Sequence, residues 1–518
     1  MASSLEGILG RLDDASDRLS PIVVKEVRQI VRQRGFLYSF ALSLLAGLTI
    51  ALLGGTSTAR GSLSAGADIF TYLMYCLTIV GLVVAPIGTF MALRNERLER
   101  TFDLIMLTTL PPRRIVIGKI LAQGVKLLTL FAGIAPFMAM SFLLGGVDLA
   151  TILLSLTVLF LWSLWACAMC LFLSSAAKTR AVSGAMMAVM GIGYLILFGM
   201  GSGGAFIYMI RGLLYPGMYY GYYGGGSMWI SMFAGGGSAS QIWWTLAVMT
   251  TFCLVTMTNL ILLAENCLAL EDEDRTPALR VGLLAQFLMV IAWILISPLI
   301  LPAGGGAFSA SEGFYTMCGF CGFQLMVEAF FMSTGNLEMS RRTRLRDRPT
   351  RLFRGLTVIF RPGGGRAIGY VLAQMGILIA AGAALAPAGR DFRWLLAFCG
   401  YICFFSGVPT YLVRLLAPKR ATPGWLRLAI LVSLLIAMVT PELVQYFGSA
   451  AGRFEPYALR HILNPLAALG EWEILERTSH EWPVLAMGAA GLLAYVRLIV
   501  MARRKNVQPV SAPAAHAG

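Results

Sequence analysis

Histidine and charge are both scarce in this chain. Its 518 residues include three histidines, and Asp, Glu, Lys and Arg together make up 13%. His461 and His480 share one loop without ligand spacing, so an imidazole-built metal centre is excluded as a reading. Also missing is any G-x-x-x-x-G-K-[ST] loop. Gly118-Lys119 has no glycine cradle around it, and Gly363-Gly-Gly365 is not followed by Lys-Ser/Thr, so no nucleotide site is expected in this chain. Cys318-Gly-Phe-Cys321 has CxxC spacing but no second pair and no nearby His, which makes helix packing the better reading. The first twenty residues are polar and carry Asp13, Asp14 and Asp17 ahead of any apolar core. No signal peptide is expected there, and the first apolar run serves as the insertion signal.

Apolar sequence is what the chain has in excess. Hydrophobic residues make up 58% and the mean hydropathy is +0.75, too much for a soluble domain of this length to hide. The reading is an all-α integral membrane protein. Runs long enough to cross a bilayer, roughly 20 residues each, fall near 36–55, 69–93, 115–145, 149–174, 181–204 and 241–264. A second set falls near 280–301, 312–335, 367–388, 392–416, 426–448 and 482–502. Twelve spans with both termini cytoplasmic would put 32 of the 41 Lys and Arg on the cytoplasmic side and seven outside. The net charge of +15 then reads as topology and contact with anionic lipid, without nucleic acid.

Two charged segments interrupt this pattern. In Ser20 to Arg34, Ser20 can cap a helix and Pro21 suits its first position, while Ile22, Val23, Val27, Ile30 and Val31 gather on one face. Such a helix is expected at the cytoplasmic interface with its apolar side in the acyl chains. In Arg94 to Pro112, Leu98, Phe102, Ile105 and Thr109 recur at helical spacing until Pro111-Pro112 stops the helix, and Glu96, Glu99, Arg100 and Asp103 are interleaved. That segment is too short and too charged to cross, so it is expected to contact something in water.

An interface helix, two spans, a short charged helix ended by prolines and a third span form an ordered series. This series resembles the permease subunits of type-2 ABC exporters. Pro21-Ile-Val-Val-Lys25-Glu26-Val-Arg28 matches the run that opens that family. Glu99-Arg-Thr-Phe-Asp103-Leu-Ile-Met-Leu-Thr108 with Gly118-Lys119 matches the stretch between its second and third spans, with departures at Arg100 and Thr109. The resemblance implies an elbow helix carrying Lys25, Glu26 and Arg28. It also implies a coupling helix, with Glu96, Arg97, Glu99, Arg100, Thr101, Phe102 and Asp103 facing a separate ATPase subunit that holds ATP and Mg. It further implies a multi-pass protein of the bacterial inner membrane whose partners are that ATPase, membrane lipids and, in a dimeric arrangement, a second permease chain. This chain itself would be no enzyme and would carry no cofactor.

Residues 271–518 exceed the six spans of such a permease, so the chain divides into halves at 1–270 and 271–518. Shifting the sequence by 251 gives 13 identities over residues 97–136, among them Ile117-Gly118 on Ile368-Gly369, Leu121-Ala-Gln123 on Leu372-Ala-Gln374 and Ala135-Pro136 on Ala386-Pro387. A degenerate repeat in the same orientation is therefore expected, with an arginine-rich loop at 341–351 in place of the acidic one. Lys126 lies near enough to a span end to snorkel. Glu328 lies inside a span and is the candidate pathway residue. Two other readings stay open: a membrane transferase using a lipid-linked donor, for which only scattered acids such as Glu455, Glu471, Glu473 and Glu476 are on offer, and a non-transporting anchor or assembly subunit with a permease fold.

Overall fold

The computed structural model describes residues 21–58, 65–98, 112–144, 147, 149–177, 184, 186–187, 239–268, 276–300, 310–337, 357–361, 363–449, 462–470, 472 and 481–507. Helices account for nearly all of them, and no strand occurs among them. Eleven helices among the described residues are long and apolar enough to cross a membrane. The twelfth expected span, near 181–204, falls outside the described residues apart from helical positions at 184, 186 and 187.

Contacts divide the chain into two compact units, Met1–Leu270 with Ile300–Gly306 and Glu271–Leu299 with Ala307–Gly518. The first contains α1 (Pro21–Arg32), α2 (Arg34–Thr58), α3 (Ala65–Ile79), α4 (Ala85–Leu98), α5 (Pro112–Leu143), α6 (Leu149–Ala176) and α7 (Ala239–Leu268). A π turn, Val80–Val84, joins α3 to α4, so one apolar helix runs from Ile69 through Arg97. The second contains α8 (Thr276–Ile300), α9 (Ala310–Ser333), α10 (Gly364–Leu385), α11 (Gly389–Leu416), α12 (Pro423–Ser449), α13 (Pro465–Gly470) and α14 (Glu481–Val507). Prolines open α1, α5, α12 and α13, where a missing N–H costs nothing. The shared Ala-Pro pair behaves differently in the two units. Pro136 lies inside α5, whereas Ala386-Pro387 stands just beyond the end of α10.

Apolar surface gives little driving force between helices in lipid, so fit and small residues decide which ones meet. In the first unit α3, α5 and α6 enclose Phe70, Leu73, Met74, Leu77, Leu127, Leu130 and Leu159, all fully buried. In the second unit Phe287, Phe314, Met317, Leu325, Leu378, Leu395 and Cys403 form the corresponding centre. Its tightest contact is α11 on α14. A Cβ on Gly488 would lie 2.8 Å from Gly400 Cα, and one on Gly491 would lie 2.5 Å from the Cys403 carbonyl carbon, so the two backbones touch through glycine.

α1 departs from its expected setting. Val23, Glu26 and Ile30 are buried, Val27 is half-buried, and the helix packs on α5. The apolar face therefore covers protein, while Val31 is 49% exposed. Glu26 supplies the reason: it shares that face, and a carboxylate cannot face acyl chains without a partner.

Candidate functional site: a buried ion-pair cluster

Glu96 sits in the last turn of α4, a poor position for an acid because the carbonyl end of a helix carries partial negative charge. Lys119 of α5 offsets it. Its Nζ lies 2.6 Å from Glu96 Oε1 and 2.7 Å from Glu26 Oε1 of α1, and all three side chains are buried. An ammonium has three donors, so one lysine can serve both carboxylates. Removing one partner from a buried pair typically costs about 3–5 kcal/mol, because the other charge is left uncompensated. The cluster thus pins α1, the end of α4 and the start of α5 at one point.

The neighbouring Arg97 extends the anchorage to a fourth helix. Its guanidinium donates to the carbonyls of Ser175 at 2.8 Å and Ala177 at 2.9 Å, groups that the end of α6 leaves without helical partners. Ser174 Oγ donates to the Phe90 carbonyl at 3.1 Å on the same contact. Lys126 turns inward, its Nζ 3.2 Å from where a Cβ on Gly88 of α4 would stand.

The residues assigned from sequence fall into three groups. Glu96, Arg97 and Glu26 come together at the base of the charged segment and are engaged inside the protein. Lys25 and Arg28 lie on the exposed side of α1. Glu99, Arg100, Thr101, Phe102 and Asp103 lie outside the described residues. Sequence reasoning gave Lys119 no role beyond a motif match. The signal was present, since a lysine seven residues into an apolar helix needs a partner.

Glu328 belongs to a second polar group, spread over three helices of the second unit. Gln324 Nε2, one turn earlier on α9, donates to Glu328 Oε1 at 2.7 Å and to the Leu283 carbonyl of α8 at 2.8 Å. On α10, Gln374 Nε2 donates to Tyr370 Oη at 2.9 Å, and Tyr370 donates to the Arg280 carbonyl at 2.7 Å. The Arg280 guanidinium itself holds the carbonyls of Ile359 and Arg361, fixing the 3-10 turn Thr357–Phe360 ahead of α10. Cys318, Cys321, Cys399 and Cys403 are free thiols within the apolar centre. No group of three His, Cys, Asp or Glu side chains among the described residues could hold a metal ion.

No family model matches the chain, and neither a curated protein nor a solved structure matches it. The fold and these two clusters define a multi-pass helical membrane protein with buried ion pairs.

Proposed function

We propose that this chain is the permease subunit of an ATP-driven exporter, with ATP hydrolysed by a separate subunit that docks on the segment after α4. The observation that carries the reading is the Lys119 cluster. The base of a charged segment between two apolar helices is tied to α1, α5 and α6 by buried polar contacts, so a push on the segment would move four helices together. That is the mechanical requirement on a coupling element, and Phe102 and Glu99 then serve as its apolar anchor and its register charge. Both termini lie in the cytoplasm in this reading, and the host membrane is a bacterial inner membrane.

The second unit supports a fused pair of permease halves. The second, third, fourth and last spans pack in the same combinations in each unit. In the first these are α3 with α5, α4 with α6, α5 with α6, α5 with α7 and α6 with α7; in the second they are α9 with α10, α9 with α11, α10 with α11, α10 with α14 and α11 with α14. Gln123 and Gln374, paired by the shift of 251, are both buried. One chain then supplies both halves of a translocation path.

The test is purification from the native membrane, with identification of the co-purifying proteins. An ATPase subunit should accompany the wild type. Truncating an apolar anchor typically costs about 2 kcal/mol or more of binding, so Phe102→Ala should release that subunit while the chain still inserts. Charge reversal at Glu99 should weaken assembly in a salt-dependent way. Unchanged co-purification and stimulated hydrolysis in the double variant Phe102→Ala, Glu99→Arg would remove the coupling assignment.

A further inference from the structure

Positive charge gathers where α11 ends and α12 begins. Arg414 stands in the last turn of α11, Lys419 and Arg420 are exposed on the 3-10 turn Pro418–Arg420, and Arg427 lies in the second turn of α12. Both guanidiniums reach the end of α9. Arg414 Nη2 donates to the carbonyls of Ser333 at 3.1 Å and Gly335 at 2.7 Å, while Arg427 Nε donates to Thr334 Oγ1 at 3.3 Å. A helix C-terminus offers roughly half a negative charge, too little for two arginines. No carboxylate makes up the difference. Among the described residues none of the four cations forms an ion pair, and Arg414 Nη1 is buried without an acceptor.

Arg427 is oriented in advance. Its Cζ lies 4.9 Å from the centre of the Phe331 ring, which together with the Thr334 bond fixes the guanidinium, and its Nη1 and Nη2 have no protein acceptor among the described residues. Such a fork matches two oxygens of a phosphate. The surroundings are apolar. Because α11 and α12 are both long and apolar enough to cross a membrane, the turn between them stands at a membrane surface. Trp425 is 55% exposed there, and Leu415, Leu416, Leu428 and Leu431 are exposed on the adjoining turns. An amphiphile with an anionic head meets both surfaces at once.

We propose that the junction of α11 and α12 is a binding site for an anionic phospholipid. Arg427 grips the phosphate through Nη1 and Nη2, Lys419 and Arg420 supply further positive charge, and the exposed leucines take the acyl chains. The site does not depend on the ATPase reading.

The test is native mass measurement of the full-length chain, titrated in detergent with phosphatidylglycerol or with phosphatidylcholine of the same acyl chains. The wild type should prefer phosphatidylglycerol. Its affinity for that lipid should fall about fivefold for each surface charge removed, so roughly 25-fold in the double variant Lys419→Gln, Arg420→Gln. Both side chains are exposed on a turn, so this variant should fold. Arg427→Lys keeps the charge and loses the fork, and it should also weaken phosphatidylglycerol while leaving phosphatidylcholine unchanged. The charge-matched control Arg113→Gln, Arg114→Gln, exposed at the start of α5, should bind as the wild type does. Equal affinity for the two lipids, an equal loss in the control, or wild-type affinity in either variant would overturn the proposal. Unchanged lipid binding with loss of a co-purifying protein would overturn it too, and would assign the patch to a protein partner.

Discussion

Lys119→Met keeps most of the length and all of the apolar stem of the side chain while deleting its charge. The lysine holds two carboxylates at 2.6 and 2.7 Å, with side chains exposed by only 6% for Lys119, 9% for Glu26 and 11% for Glu96. Without it, two acids face each other in a space closed to solvent. Each broken buried pair would cost about 3–5 kcal/mol alone, but the two losses do not add, because one acid can take up a proton and relieve the repulsion. The expected loss is therefore about 3–5 kcal/mol in total. At about 2 °C per kcal/mol for a unit of more than 200 residues, the unfolding midpoint of the first unit should fall by roughly 6–10 °C. Tryptophan fluorescence of the purified chain in detergent reads this, and Trp162 and Trp165 on α6 report from the affected unit. The triple variant Lys119→Met, Glu26→Gln, Glu96→Gln should recover most of the loss, since neutral groups need no counter-charge. A single variant that melts with the wild type, or a triple variant no better than the single, would refute the argument that charge compensation holds the helices together.

Other expectations follow from packing and topology. Gly491→Ala places a methyl against backbone atoms of Cys403 and Phe404, which cannot rotate away, and should destabilise the second unit by about 2–3 kcal/mol. Gly376→Ala, with nothing within 4 Å of the new carbon, should be neutral or stabilising by up to about 1 kcal/mol in the same melting assay. Cysteine labelling from either side of the membrane should place 94–112, 338–366 and the C-terminus inside, and 211–240 and 450–481 outside; a C-terminus reached only from outside would remove the twelve-span reading. On the exporter reading, native mass measurement should find one copy of this chain with two copies of an ATPase, or with one copy of each of two related ATPases, and two copies of this chain per complex would reduce the second unit to an accessory domain.

Much of the helical framework was legible because crossing a bilayer leaves a long apolar signature that local context cannot disguise. The observed helices 112–143, 149–176 and 389–416 lie within a few residues of the runs read from hydropathy. Continuity was harder to see. Glu96 and Arg97 looked like the start of a separate surface helix, yet α4 carries the second span through them, because a buried lysine and the end of α6 satisfy their charges. The setting of α1 was misread for a related reason. Periodicity finds an apolar face but cannot say whether lipid or protein covers it, and the decisive residue was the acid on that face. The meeting of Lys119 with Glu26, 93 positions away, is a tertiary fact that spacing cannot encode.

The separation between Glu26 and Lys119 also sets a clock on biogenesis. Ninety-three positions separate them, and at about 5–20 residues per second the ribosome needs roughly 5–20 s to make that stretch. Throughout that interval Glu26 has no lysine to meet, so α1 must wait in water or among headgroups while the next two apolar helices enter the bilayer. Its docking is therefore a late event, triggered by the arrival of α5, and the first unit closes from its third span backward to its beginning.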